Sequence, residues 1–176
     1  FCNKPGLVNS VSGEGDKIAK IFPVIADTKW ECVALLCDDT GIPKSSDDRL
    51  RVFAHIMEEA KKYNIDPSRL HIDPLVEMLC TTDDAMANLS AVMKTIKDQY
   101  PTIHVTGAVS NISFNLPYRK IVNLAFLVLS MNSGLDSAIF DPLNRDLMGA
   151  VFATEALLGM DDYCMEYITA YREGLF

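Results

Sequence analysis

Along the chain, short apolar runs alternate with stretches whose apolar residues recur at helical spacing. The runs are "GLVN" (6–9), "CVALLC" (32–37), "LHID" (70–73), "HVTGAVS" (104–110) and "SAIF" (137–140), and each reads as a strand. Between them, Ile18, Ile21, Phe22 and Ile25 form one stripe, Leu50, Phe53, Ala54 and Met57 a second, and Met86, Leu89, Met93 and Ile96 a third. Ile121, Leu124, Val128 and Met131 make a fourth, more apolar helix, Leu147, Val151, Thr154 and Leu158 a fifth, and an amphipathic stretch runs from about Asp161 to Arg172. Ser46 or Asp47 is expected to cap the second helix and Asp83 the third. A strand recurring about every thirty residues with a helix between is the pattern of βα units around a parallel sheet.

Five such units fit either an open doubly wound sheet or part of a (β/α)8 barrel. Two observations favour the barrel. Polar residues gather after every strand, at Asn9, Asp38–Asp39, Asp73, Ser110–Asn111 and Asp141, and in a barrel these ends converge on one mouth where chemistry sits. The chain also begins at Phe1 rather than Met and enters a strand almost at once, so it is expected to be the C-terminal five units of a longer protein, with about three more before it. No linker or composition break divides residues 1–176, which are expected to form a single domain.

Composition narrows the function classes. The 176 residues are 49% hydrophobic and 23% charged, as in a globular protein. Sixteen Lys and Arg against twenty-four Asp and Glu give a net charge of −8, and no basic run tracks phosphates, which argues against nucleic acid. The longest apolar runs are too short to span a bilayer and no signal peptide is seen, so a cytoplasmic protein is expected. The five cysteines, Cys2, Cys32, Cys37, Cys80 and Cys164, are scattered without a CxxC pair and read as reduced core thiols rather than a metal site.

The candidate site lies at the strand ends. Asp73 in "HIDPL" precedes Pro74, which favours extended geometry; a carboxylate there suits a ligand edge with two N–H groups, or closes a turn. Asn9 in "LVNSVSG" offers an acceptor and two donors, or forms an Asx-turn. In "GAVSNISFN" (107–115), Ser110, Asn111, Ser113 and Asn115 place neutral amides and hydroxyls at a strand tip, as a hydrogen-bonding, uncharged ligand requires. The Asn111 amide stays neutral at any working pH and can donate to or accept from a nitrogen whose protonation changes. His71 and His104 fall inside strands and read as core or supporting residues, and His55 lies on a helix. The loop "CDDTGIPKSSDDRL" (37–50) is either a plain turn before a capped helix or a wall of the mouth with Lys44 facing an anion.

Taken together and in order, "LVNSVSG", "TGIPKSSDDRL", "HIDPL", "GAVSNISFN" and "SAIFDP" resemble the methyltetrahydrofolate methyltransferases of corrinoid-dependent methyl transfer, members of the pterin-binding barrel superfamily. The resemblance implies an α/β fold, a (β/α)8 barrel of the pterin-binding type. It implies that Asn9 and Asp73 bond the pterin ring, that Asn111 sits near the pterin N5 and that Gly107 and Ser110 line the pocket, with Arg119 near the ring. Where better-known members carry a glutamine this chain has Phe114, which either stacks on the pterin or corrin or simply packs. Tetrahydrofolate or its methyl form as substrate, a corrinoid carried by a partner protein, no bound metal and a homodimer are further implications. Demethylation of a methylated amine, with tetrahydrofolate as acceptor, is a setting that fits this chemistry. The alternatives are a dihydropteroate synthase-like enzyme, disfavoured because "SNIS" and "FDPL" lack the cations that hold pyrophosphate, and a non-catalytic subunit that docks a folate or a corrinoid protein.

Overall fold

The computed structural model describes residues 3–176, so Phe1 and the predicted thiol of Cys2 lie outside the described residues. Four strands pair in parallel in the order in which they occur: β1 (Leu7–Gly13), β2 (Glu31–Asp38), β3 (Leu70–Asp73) and β4 (His104–Val105). A doubly wound sheet reverses its strand order at a switch point; this one does not, and sequential parallel order is that of a barrel wall. Helices α1 (Lys17–Ala26), α2 (Ser46–Lys62) and α3 (Ala85–Gln99) make the crossovers, followed by α4 (Arg119–Met131), α5 (Arg145–Leu157) and α6 (Met165–Arg172).

Strand alternation divides the sheet into two faces. Cys32, Ala34, Leu36, Leu70, Ile72 and Val105 join Phe22, Val52, Phe53, Ile56, Val92 and Ile96 of the helices in one buried core. The intervening residues, Asn9, Val33, His71 and His104, stand at one level across the four strands and form a rung of the opposite, concave face. Burial pushes the Cys32 thiol up to about 11, so it is an inert core group. Cys37 is also buried, but Cys80 and Cys164 are exposed, so the expectation of core thiols fails for these two.

The helices hold where capping and apolar stripes agree. Ser45, one residue before the expected cap, accepts from Asp48 N at 3.1 Å; acids in the first turn and Lys61 and Lys62 in the last complement the α2 dipole. Asp84, not Asp83, occupies the position before α3, and its side chain makes no capping bond. In α2 the exposed Ala54 leaves the predicted stripe, and Arg49, Val52, Ile56 and Ala60 enter the buried one. In α4 the buried face is rotated: Leu124 and Met131 pack half-buried against the core as expected, but Ile121 and Val128 are exposed, and Phe126, Leu127 and Ser130 are buried. A helix with apolar residues all round does not reveal its buried side by periodicity alone. Leu158 lies just past α5 and is exposed, and the last amphipathic stretch breaks at Tyr163 and Cys164, both at positive φ, before α6 begins.

Two predicted strands are corrected. Residues 104–110 keep a strand ladder only at His104–Val105, and after a single bridge at Ala108 the chain enters a 3-10 turn, Val109–Ser113. "SAIF" is not a ladder strand: it lies beside β4 through one parallel bridge, Ala108 to Ile139, with Ile139 N donating to Gly107 O at 2.9 Å and Val109 N to Ile139 O at 3.2 Å. It holds the place of a fifth strand without its length.

Candidate functional site

Asp73 is the last residue of β3, half-buried, and its Oδ1 accepts from Leu75 N at 2.8 Å, an Asx-turn that reverses the chain through Pro74 and Leu75, the latter at φ 65°. The turn reading of this residue therefore holds for one oxygen: Oδ1 closes the turn, while Oδ2 has no protein partner among the described residues. Burial raises the Asp73 carboxyl above the usual carboxylate range, against the opposing pull of the Leu75 N–H and the Arg49 guanidinium.

The segment after β4 meets this turn. Gly107 is buried, and a Cβ there would stand 3.2 Å from Val76 Cγ2, so the residue type is set by the close approach of the two loops. Leu79 N donates to Ile112 O at 3.1 Å and Cys80 Sγ to Phe114 O at 3.3 Å, stitching the loop after β3 to the 3-10 turn. On that turn Ser110 is exposed and Asn111 half-buried; the Asn111 backbone closes the turn to Ala108 and Phe114, and its side-chain amide has no protein partner among the described residues. An amide held by its backbone with its head group free is able to bond a ligand.

Arg119, the first residue of α4, braces the turn from below. Its Nε donates to Ser113 Oγ at 2.9 Å and its Nη2 to Ser110 O at 2.7 Å, and its guanidinium carbon lies 4.6 Å from the centroid of Phe114. Phe114 remains 41% exposed. The structure thus brings Asp73, Gly107, Ser110, Asn111, Phe114 and Arg119 together. Asn9 is placed differently: it lies within β1 rather than at its end, paired in register with Val33, two residues of β2 before Leu35, the partner of Asp73. That puts it about 7 Å deeper on the concave face, exposed there and without an Asx-turn among the described residues.

The loop after β2 is mostly a structural turn. Asp38 accepts from Thr40 N and Oγ1 at 2.9 and 2.6 Å, Asp39 accepts from Gly15 N at 2.9 Å, and Gly41 at φ 100° completes the reversal; Lys44 is exposed. Sequence reasoning missed Arg49 in the first turn of α2. Its side chain is 1% exposed, Nε donates to Pro43 O at 3.1 Å, and Nη2 pairs with Glu77. The signal available was an arginine directly after two acids, but a helix start reads as solvated, and only the packing shows the guanidinium turned inward.

Comparisons with known proteins identify the family. The family model described as pterin binding enzyme matches residues 3–141, which include every candidate residue above. The chain is 50% identical over 176 residues to the methylcorrinoid:tetrahydrofolate methyltransferase of Eubacterium limosum, covering 99% of this chain and 65% of that protein. It is 28% identical over 153 residues to the methionine synthase of Mycobacterium tuberculosis and 28% over 157 residues to that of Mycobacterium leprae, covering 78% and 79% of this chain and 13% of each relative.

Proposed function

Because the chain belongs to the pterin binding enzyme family, we propose that the protein moves a methyl group between the cobalt of a corrinoid and N5 of tetrahydrofolate. The observation that carries this reading is the pairing of two unsatisfied groups, the Asn111 amide and Asp73 Oδ2, on loops bonded to each other through Leu79 and Ile112. The half identity to a methylcorrinoid:tetrahydrofolate methyltransferase over nearly the whole chain supports it.

In this reading Asp73 Oδ2 accepts the N–H edge of the amino-pyrimidine, Asn9 bonds the ring from the deeper level, and Gly107 and Ser110 line the pocket. The N5 lone pair attacks the methyl carbon, the cobalt keeps the electron pair of the broken bond, and the N5 proton leaves. Asn111 is the catalytic residue: its amide accepts from the N–H before transfer and, turned about, donates to the nitrogen when methyl moves the other way. Arg119 holds Ser110 and Phe114 in place, and Phe114 offers its open ring face to the pterin or the corrin. The corrinoid arrives on a partner protein, and the enzyme is a cytoplasmic homodimer with no resident metal, with residues 1–176 forming a single pterin-binding barrel domain. Among the described residues no helix is long and apolar enough to cross a membrane.

The test mixes the full-length protein with methylcob(III)alamin and tetrahydrofolate and follows cob(I)alamin by absorbance, comparing wild type with Asn111→Ala. Turnover is expected to fall by about 10²–10³ in the variant while tetrahydrofolate still binds. Bound tetrahydrofolate without turnover in the wild type would replace this reading with a docking subunit.

A further inference from the structure

Arg49 is explained neither by the helix whose first turn it occupies nor by the methyl transfer itself. The helix dipole disfavours a cation in the first turn, and a guanidinium removed from water is costly unless its donors are met. Its donors are met from two separate walls of the mouth. Nε reaches Pro43 O in the loop after β2, and Nη2 reaches Glu77 in the loop after β3, four residues beyond Asp73. Only the turn through Pro74 and Leu75 and the residue Val76 separate the Asp73 carboxylate from this anchor, so the position of Glu77 constrains the aim of Asp73 Oδ2.

We propose that Arg49 is the positioning residue of the pterin-binding carboxylate: it ties the loops after β2 and β3 into one arrangement and brings a positive charge to the loop that carries Asp73. The ligand in this statement rests on the methyl-transfer reading; the coupling of Arg49 to Asp73 does not. The opposing effects of burial and of Arg49 on Asp73 agree with it. The charged groups around Asp73 are few. On its own strand and face His71 is held by Glu31 at 2.8 Å, the following loop brings Glu77 already paired with Arg49, α2 brings Arg49 itself, α4 brings Arg119 bonded to Ser113 Oγ and Ser110 O, and the β2 neighbour is the uncharged Leu35.

The experiment uses Arg49→Gln and Glu77→Gln in the full-length protein, with two readouts. The first is the titration of the Asp73 carboxyl by carbon NMR without ligand. Its midpoint is expected to move up in Arg49→Gln, where the cation is gone, and down in Glu77→Gln, where the cation is no longer neutralised. The second is tetrahydrofolate affinity by calorimetry across pH. In Arg49→Gln it is expected to weaken at least tenfold near neutrality, and the pH below which binding fails should rise with the Asp73 midpoint. A purely structural Arg49 would lower the melting temperature of both variants and leave the midpoint where it was, which overturns the proposal. If Arg49→Gln does not fold, an unmoved midpoint in Glu77→Gln overturns it alone. Opposite midpoint shifts in the two variants, with no tetrahydrofolate binding by the wild type, would uphold the coupling and defeat the pterin reading.

Discussion

The two ends of the concave sheet face treat their polar groups in opposite ways. Toward the amino-terminal ends of the strands, His71 Nε2 meets Glu31 at 2.8 Å and stacks on His104 with ring centroids 4.6 Å apart. There Asp136 accepts from Val105 N at 2.8 Å and from Lys97 Nζ at 2.9 Å, with His104 Nδ1 at 3.5 Å. Each of these groups is answered by another from the chain, whereas Asn9, on the same rung at the β1 edge, is exposed. At the carboxyl ends, the Asn111 amide and Asp73 Oδ2 are left without a protein partner among the described residues, although the loops that carry them are bonded to each other. A saturated cluster stabilises; groups held rigidly and left open cost stability and await a ligand. The same division separates the bottom and top faces of barrels in general.

The widest test of that contrast is Asp73→Asn. Asparagine keeps the acceptor for Leu75 N but loses the charge, so tetrahydrofolate affinity is expected to fall about a hundredfold, the worth of one charge-assisted hydrogen bond. Stability should move the other way. The folded-state pKa of Asp73 lies above its unfolded value, so its contribution is favourable below the unfolded pKa and is lost as pH rises through the folded one. The variant should therefore melt a few degrees higher than wild type near neutrality, with the gap closing in acid. Thermal melts at both pH values with calorimetric binding check this, and a lower melting temperature at neutral pH would refute the division drawn above.

A smaller effect is expected of Gly107→Ala. The added methyl must displace Val76 by a few tenths of an ångström, costing about 1 kcal/mol and weakening tetrahydrofolate binding several-fold through the loop that carries Asp73. Denaturant midpoints and calorimetry together read both effects. The smallest belongs to the saturated end: Asp136→Asn loosens the pair with Lys97, half-open to solvent, and is expected to cost about 0.5–1 kcal/mol in urea unfolding. Methyl transfer should be unchanged, and a loss of turnover there would erase the distinction between the two ends.

How much of this was legible beforehand varies by element. The alternation of apolar runs and helical stripes located β2, β3 and α1 to α3 because burial on one face imposes a period that survives in the residues themselves. The carboxyl-end position of Asp73 and the neutral cluster at 110–115 followed from the same pattern. The strand at 104–110 was read too long because its apolar residues continue into a 3-10 turn whose pairing is with loops, and the "SAIF" segment was read as a full strand although it holds one bridge. The buried side of α4 was read only in part: Leu124 and Met131 pack against the core, but apolar residues continue round to Ile121 and Val128, which are exposed.

The sequence by itself determined the βα order, the parallel sheet and the residue types offered at the strand ends, since these depend on local spacing and on side-chain chemistry. Only the tertiary structure decided which oxygen of Asp73 is spent on its own turn, how deep Asn9 lies, that Arg119 is committed to Ser110, Ser113 and Phe114, and that Arg49 turns inward to Glu77. Those outcomes depend on which loops meet, and loops meet through hydrogen bonds and packing between residues far apart in the chain, which leave no period for a linear reading to find.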